Sequence, residues 1–309
     1  MSDIKLFRFS KNGAQELPGS TAPLEKGLHA LMEKNLECFL GIRFVAGEYP
    51  TGKNHHGRID TLGLDENGCP VILEYKRHTN ENVINQGLYY LDWLLDHRAE
   101  FKLLVLERYG KQAAEHIEWP GTRVLCIAGD FTKFDLHAVA QIGRNIELIR
   151  YKFFSDDLLL FELLTSAAVQ TVSKPHKSTY HAEPVLPDTG APEKGPLAKQ
   201  LNNVSPEIAH LWDETLDYIR GLGEDVNIKF LGHHVACTRL KNFACLWPLK
   251  SEILLWLKLN PASMELEPGF TRDVSSVGHY GTGDLEVRLK NGATLAKAQP
   301  LIERAYEES

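Results

Sequence analysis

The sequence predicts a mixed α/β unit followed by a smaller α+β unit, and three observations predict it. The first half alternates helical and strand periodicities in the order α-β-β-β-α-β. The second half carries helical patterns at its two ends and strand patterns between them. Between the halves, Ser166 to Gly195 holds four prolines, scattered small and polar residues and no sustained period, which is the composition of a linker. The expected division is therefore 1–165, a flexible linker 166–195, and 196–309, in keeping with the usual size of domains.

Each element follows from local pattern. Ser20-Thr21-Ala22-Pro23 offers a cap and an early proline for a first helix, whose stripe is Leu24, Leu28, Leu31, Met32 and Leu36. Ile42–Tyr49 is extended. Arg58–Leu64 and Pro70–Lys76 are strands joined by Asp65-Glu66-Asn67-Gly68, whose Asn-Gly step marks a hairpin. A second helix is expected over about 82–96, strands over 101–107 and 122–128, and a helix over 134–144. A last strand follows over 146–153, and a short helix over 156–164. In the second half, Ser205-Pro206-Glu207 starts a helix that carries Ile208, Leu211, Trp212, Leu216 and Ile219. Strands are expected over 229–240, 243–248, 252–259 and 286–289. Lys290-Asn291-Gly292 reads as a turn, and Leu295–Tyr306 as a helical pattern crossed by Pro300.

Composition narrows the class. The chain has no run of about 18 apolar residues, so a membrane span is not expected, and its N-terminus lacks a signal-peptide pattern. Five cysteines without a CxxC pair read as buried free thiols of a reducing, cytoplasmic compartment rather than a zinc site. Residues 1–165 hold 19 Lys and Arg against 23 Asp and Glu, and residues 196–309 hold 12 against 15, so neither half is a broad basic clamp. A local basic groove beside an acidic metal site remains compatible with this balance.

The residues that carry chemistry lie on the hairpin. Glu74 and Lys76 are two apart and share one face of a strand, Tyr75 takes the other, and Asp60 lies on the partner strand. Two carboxylates and an ammonium at the end of the apolar run Val71-Ile72-Leu73 are costly to bury unless paired or bound to metal. Hard oxygen ligands suit Mg²⁺ or Mn²⁺, and a neighbouring lysine can orient an attacking water, as phosphodiester hydrolysis requires. The plainer alternative is a surface hairpin with a Glu74–Lys76 ion pair. Further residues weigh against it. Gln86 and Tyr90 stand at i and i+4 on the following helix, Glu48 lies on the preceding extended segment, and Glu25 sits where a carboxylate suits a helix N-terminus. Arg58 and Arg77 flank the strands as candidate phosphate contacts, and Lys53, His55 and His56 occupy the loop before Asp60.

With GRID at 57–60, ExK at 74–76 and QxxxY at 86–90, the segment 20–110 resembles the PD-(D/E)XK nuclease superfamily. The similarity is greatest to the catalytic domain of the archaeal mismatch endonucleases, and looser to RecB-type nuclease domains. The resemblance implies a restriction-endonuclease-like αβββαβ core with Asp60, Glu74 and Lys76 binding metal and activating water. Gln86 and Tyr90 would support the site. An acid on the first helix is also implied, standing about ten residues before an asparagine that closes the helix. Glu25 and Asn35 fit that spacing, with Glu33 and Glu37 expected to be exposed competitors. The archaeal enzymes carry a separate N-terminal DNA-binding domain, and here only about twenty residues precede the first helix.

The second half resembles an uncharacterised domain family, with matching residues in Asn242–Cys245, Gly269–Val274 and Gly278–Glu286. Three glycines between Gly278 and Asp284 allow close approach of a ligand, and Arg272, His279, Tyr280 and Asp284 form a candidate binding loop for nucleic acid. The plain reading is a glycine-dependent connection. Phe243, Trp247 and Trp256 are expected in the core, and His233-His234 on a strand, one facing each way. The expected function is a Mg²⁺- or Mn²⁺-dependent endonuclease acting on DNA in repair or defence, and pairing into a homodimer would allow both strands to be cut. The competing expectations are a nucleic-acid-binding or regulatory module that keeps the fold without cutting, and a scaffold for a protein-interaction domain in the second half.

Overall fold

The computed structural model describes residues 4–11, 13–22, 25–52, 56–77, 82–155, 157–166 and 195–309. The chain falls into two compact units, Met1–Ala167 and Ala168–Ser309, each with its own apolar core. The segment expected to be a linker lies outside the described residues except at its ends, where Ser166 closes a strand and Gly195 precedes a helix. No helix among the described residues is long and apolar enough to cross a membrane.

The first unit opens with a hairpin of β1 (Leu6–Ser10) and β2 (Gly13–Leu17), then the short β3 (Gly19–Ser20). Next come α1 (Glu25–Leu40), β4 (Ile42–Pro50), β5 (Arg58–Asp65), β6 (Pro70–Lys76) and α2 (Val83–Asp96). After these follow α3 (Arg98–Glu115), β7 (Arg123–Ala128), α4 (Lys133–Gln141), β8 (Ile146–Phe154) and β9 (Leu158–Ser166). The sheet runs β3-β8-β7-β6-β5-β4, with β9 also on β8. β4, β5 and β6 are antiparallel to one another, and β6, β7 and β8 are parallel, so the sheet is mixed. The β5–β6 turn is fixed by Asp65: its Oδ1 accepts the N–H groups of Asn67 and Cys69, each at 2.9 Å, and Gly68 takes φ +78°. The other Asp65 oxygen pairs with the buried Arg123.

Two expected elements are corrected. Residues 101–107 are helical, not a strand. Phe101 and Val105 are buried one turn apart, while Leu103 and Leu106 are 52% and 41% exposed, a helical period that the dense apolar run FKLLVLE conceals. Residues 158–166 are a strand, not a helix. Leucine favours helix, but the register on β8 places Glu162 opposite Arg150 as an ion pair, and tertiary pairing overrides propensity. Smaller departures concern the caps. Ser20 belongs to β3 rather than capping α1, and Pro23 and Leu24 lie outside the described residues. α1 does not close at Asn35. It is broken there at φ −122°, where Asn35 donates its side-chain amide to Leu31 O, and then continues to Leu40.

The second unit comprises α5 (Pro196–Leu201), α6 (Pro206–Arg220), β10 (Asn227–Phe230), β11 (Val235–Thr238) and β12 (Asn242–Pro248). β13 (Ile253–Leu257), β14 (Thr271–Asp273), β15 (Leu285–Leu289) and α7 (Gly292–Glu307) complete it. Its antiparallel sheet runs β10-β11-β12-β13-β15-β14. One sheet face, with Val235, Leu246, Leu255 and Val287, packs on Ile208, Leu211 and Leu216 of α6 and Ile302 of α7. The single strand expected over 229–240 is a hairpin, so His233 and His234 lie in its turn and not on a strand. Asn291 is not a turn residue but the cap of α7, accepting Thr294 N at 3.0 Å in a capping box. Phe243 and Trp256 are buried as expected, Trp247 only partly. None of the cysteines is in a disulfide, and Cys38 departs from the expected burial: it lies on the outward side of α1.

Candidate active site

Asp60 and Glu74 face each other because β5 and β6 pair in the register Thr61 to Leu73, so the preceding and following residues meet at the strand ends. Backbone donors fix both carboxylates. Asp60 N donates to Glu74 Oε1 at 3.2 Å, and Tyr75 N donates to Asp60 Oδ2 at 3.0 Å. Glu74 is fully buried, and its Oε2 has no hydrogen-bond partner among the described residues. On its other side lies Cys126 of β7, in parallel register, and α2 packs over this face. Gly87 permits that approach, since a Cβ there would stand 2.6 Å from Val124 Cγ1. Burial first, and then the Asp60 charge, pushes the Glu74 carboxyl up from 4.5 to about 9.

Lys76 lies on the same face and is 15% exposed. Its ammonium does not make the surface pair with Glu74 that the plainer alternative required but stands 3.6 Å from Glu25 Oε1, and Arg77 N donates to Glu25 Oε2 at 3.3 Å. Glu25, at the start of α1, thus holds the end of β6. Tyr90 acts on the other strand. Its hydroxyl oxygen accepts from Arg58 N at 3.2 Å and from Gln86 Nε2 at 3.3 Å. Gly57 is required there, since a Cβ would meet the Tyr90 ring at 2.5 Å.

Glu48 and Arg58 do not join this group. They pair with each other at 3.6 Å on exposed surface across β4 and β5. The Arg77 side chain is exposed, and its carbonyl accepts from Tyr151 OH at 3.3 Å. Lys53 and His55 lie outside the described residues, and His56 sits at φ +48° in a loop closed by Gly57 N donating to Thr51 Oγ1. Sequence reasoning missed a polar wedge on the opposite face. His29 Nε2 lies 3.0 Å from Asp60 O and 3.2 Å from Glu33 Oε1, and Thr61 Oγ1 donates to Glu33. Glu33 is therefore half-buried beneath β5 rather than a plain exposed residue. The available signal was the i, i+4 spacing of His29 and Glu33.

Among the described residues no group of three His, Cys, Asp or Glu side chains is gathered as a metal cage. The pair Asp60 and Glu74 nevertheless fits a hard divalent cation. It offers two carboxylates and a buried oxygen without a partner, and Mg²⁺ ordinarily takes one or two carboxylates and completes its shell with water and phosphate.

The candidate loop of the second unit does not converge on one point. Arg272 is directed to Glu286 at 3.0 Å. His279 Nε2 lies 2.7 Å from Gly283 O, packs on Trp256, and is held below the usual histidine range by burial. Tyr280 stacks on His233, and Asp284 is exposed. A Cβ at Gly283 would meet the Leu257 backbone at 2.8 Å, so close packing explains that glycine.

Residues 197–309 match the model of a domain of unknown function, DUF5655. The chain is 25% identical over 314 residues to an uncharacterized protein of Haemophilus influenzae, covering 99% of this chain and 100% of that one. A solved structure of a repair endonuclease from Pyrococcus abyssi aligns at 21% identity with a TM-score of 0.29, over 42% of this chain and 47% of its own. A complex of EndoMS with double-stranded DNA aligns at 21% identity with a TM-score of 0.25, over 44% of this chain and 47% of its own. The chain thus spans about half the length of each of these two structures.

Proposed function

We propose that the first unit is a PD-(D/E)XK-type nuclease site that hydrolyses phosphodiester bonds of DNA with Mg²⁺ or Mn²⁺. The observation that carries this reading is the buried Glu74 carboxylate, unsatisfied at Oε2, set against Asp60 and beside Lys76. Such a group is costly in a plain structural role and fits a cation site.

Asp60 and Glu74 would hold the cation, which when bound supplies Lewis-acid stabilisation of phosphate charge and a more acidic water. Their geometry is set before the ligand arrives, because each carboxylate already takes one backbone N–H from the facing strand. Lys76, held by Glu25, orients a water toward phosphorus and offsets charge on the phosphoryl oxygens. Tyr90 fixes the Arg58 backbone and with it the angle at which Asp60 enters the site.

The test is cleavage of labelled DNA by the full chain with Mn²⁺. Asp60→Ala and Lys76→Ala are expected to lose about a thousandfold or more in rate while retaining the wild-type melting profile. Full activity in either variant rejects this reading. A non-cleaving nucleic-acid-binding module is the second reading, favoured by the small number of acidic ligands that converge. Retained DNA binding without Mn²⁺ uptake would select it.

A further inference from the structure

The sheet of the second unit has two unlike faces. Alternation puts Leu246, Leu255 and Val287 against the helices. The opposite face carries Trp247, Leu254 and Arg288 in one cross-strand row, and Cys245, Trp256, Glu286 and Arg272 in the next. The 274–284 loop crosses this face, where Tyr280, 48% exposed, stacks on His233 at 5.2 Å and tilts against Trp247 at 5.3 Å.

At the edge of the same face, a cavity of about 300 Å³ is lined by Phe270, Thr271, Arg272, Arg288 and Lys290 with Pro268 and Gly269, and by no acidic residue. Its two guanidinium groups are aimed by a buried acid. Glu286 accepts from Arg288 Nε at 3.1 Å, from Arg272 Nη2 at 3.0 Å and from Trp256 Nε1 at 3.3 Å, and Arg288 Nη1 also reaches Glu252 at 3.0 Å. Each guanidinium keeps further N–H donors, because arginine has five. Lys290 is exposed, and with it the three cations outnumber the paired Glu286 and Glu252 by one. A buried carboxylate that positions two arginines at a cavity leaves their remaining donors for an anion, and planar donor pairs suit phosphate. Arg288 and Trp247 stand two strands apart in one row, roughly 10 Å.

We propose that this face binds single-stranded nucleic acid, with a backbone phosphate in the Arg272, Arg288 and Lys290 cavity and a base on Tyr280 and Trp247. Charge and stacking act together here, as in sequence-tolerant strand binding, and the acidic balance of the unit as a whole does not oppose a local site of this kind. Glu286 is a positioning residue, acting through the arginines. The proposal stands apart from the nuclease reading, since it rests on no residue of the first unit.

The experiment uses the full chain in EDTA, which prevents cleavage, and a short fluorescein-labelled single-stranded oligodeoxynucleotide containing 5-iodouracil. Anisotropy reports affinity, and photo-crosslinking with peptide mapping reports place. Adducts are expected on Tyr280 or Trp247. Tyr280→Ala and Lys290→Gln, both at exposed positions, should each raise Kd about tenfold while still melting cooperatively. Three results overturn the proposal. The oligonucleotide fails to bind, or adducts are confined to Met1–Ala167 with both variants binding as wild type. The third is displacement by millimolar inorganic phosphate with Tyr280→Ala unchanged, which would mark a site for a free anion.

Discussion

Glu74 is the residue on which the electrostatics of the first unit turns. Burial and the Asp60 charge raise its folded value from 4.5 to about 9, so the protonated form is the one that the fold holds. Stability from this group is therefore complete below about pH 4.5 and is lost progressively as pH rises toward 9. In metal-free buffer the melting temperature of the wild type should fall over that window, and Glu74→Gln should melt about 5 °C above wild type near the alkaline end. Parallel curves for the two proteins would contradict this. On the proposed reading a divalent cation bound to the ionised carboxylate would reverse the trend, so Mn²⁺ should stabilise the wild type more at pH 8 than at pH 6, and Glu74→Gln not at all. Tyr90→Phe makes a subtler case. It removes the hydroxyl that receives Arg58 N, and cleavage should drop about tenfold with Mn²⁺ affinity retained. An equal loss of metal affinity would assign Tyr90 to the cation site itself.

At the scale of elements, the hairpin β5–β6 was legible because its signals are local: an Asn-Gly turn, an apolar run, and alternation that puts Glu74 and Lys76 on one face. What was not legible depended on tertiary contacts rather than on local pattern. Leu158–Ser166 is a strand because β8 pairs with it, and the run at 101–107 is helical because only one side of it meets the core. Glu33 passed for a solvent-facing residue because nothing in its neighbourhood announces Thr61, which lies 28 residues on. Conversely, the glycines of 278–284 suggested a ligand where Gly283 answers to the Leu257 backbone. The helical assignment of α3 carries its own test. Phe101→Ala should cost about 3–5 kcal/mol and Leu103→Ala almost nothing, read from denaturant midpoints. Equal costs at the two positions would point to a different face.

At the scale of the molecule, two cores on either side of residues 168–194 make two cooperative units. Fragments covering 1–167 and 195–309 should each melt cooperatively, and the first alone should retain cleavage. Loss of cleavage on separation would show that the second unit completes the site. In the proposed division of labour, Asp60, Glu74 and Lys76 would hydrolyse the strand and the second unit would hold a displaced or single strand. The central claim is the hydrolytic site, and the most direct measurement is cleavage of labelled single-stranded, duplex and branched DNA with Mn²⁺ by wild type and Lys76→Ala side by side. The account predicts cleavage of at least one substrate by the wild type and none by the variant. Equal cleavage by both, or binding by the wild type without cleavage of any substrate, would contradict it.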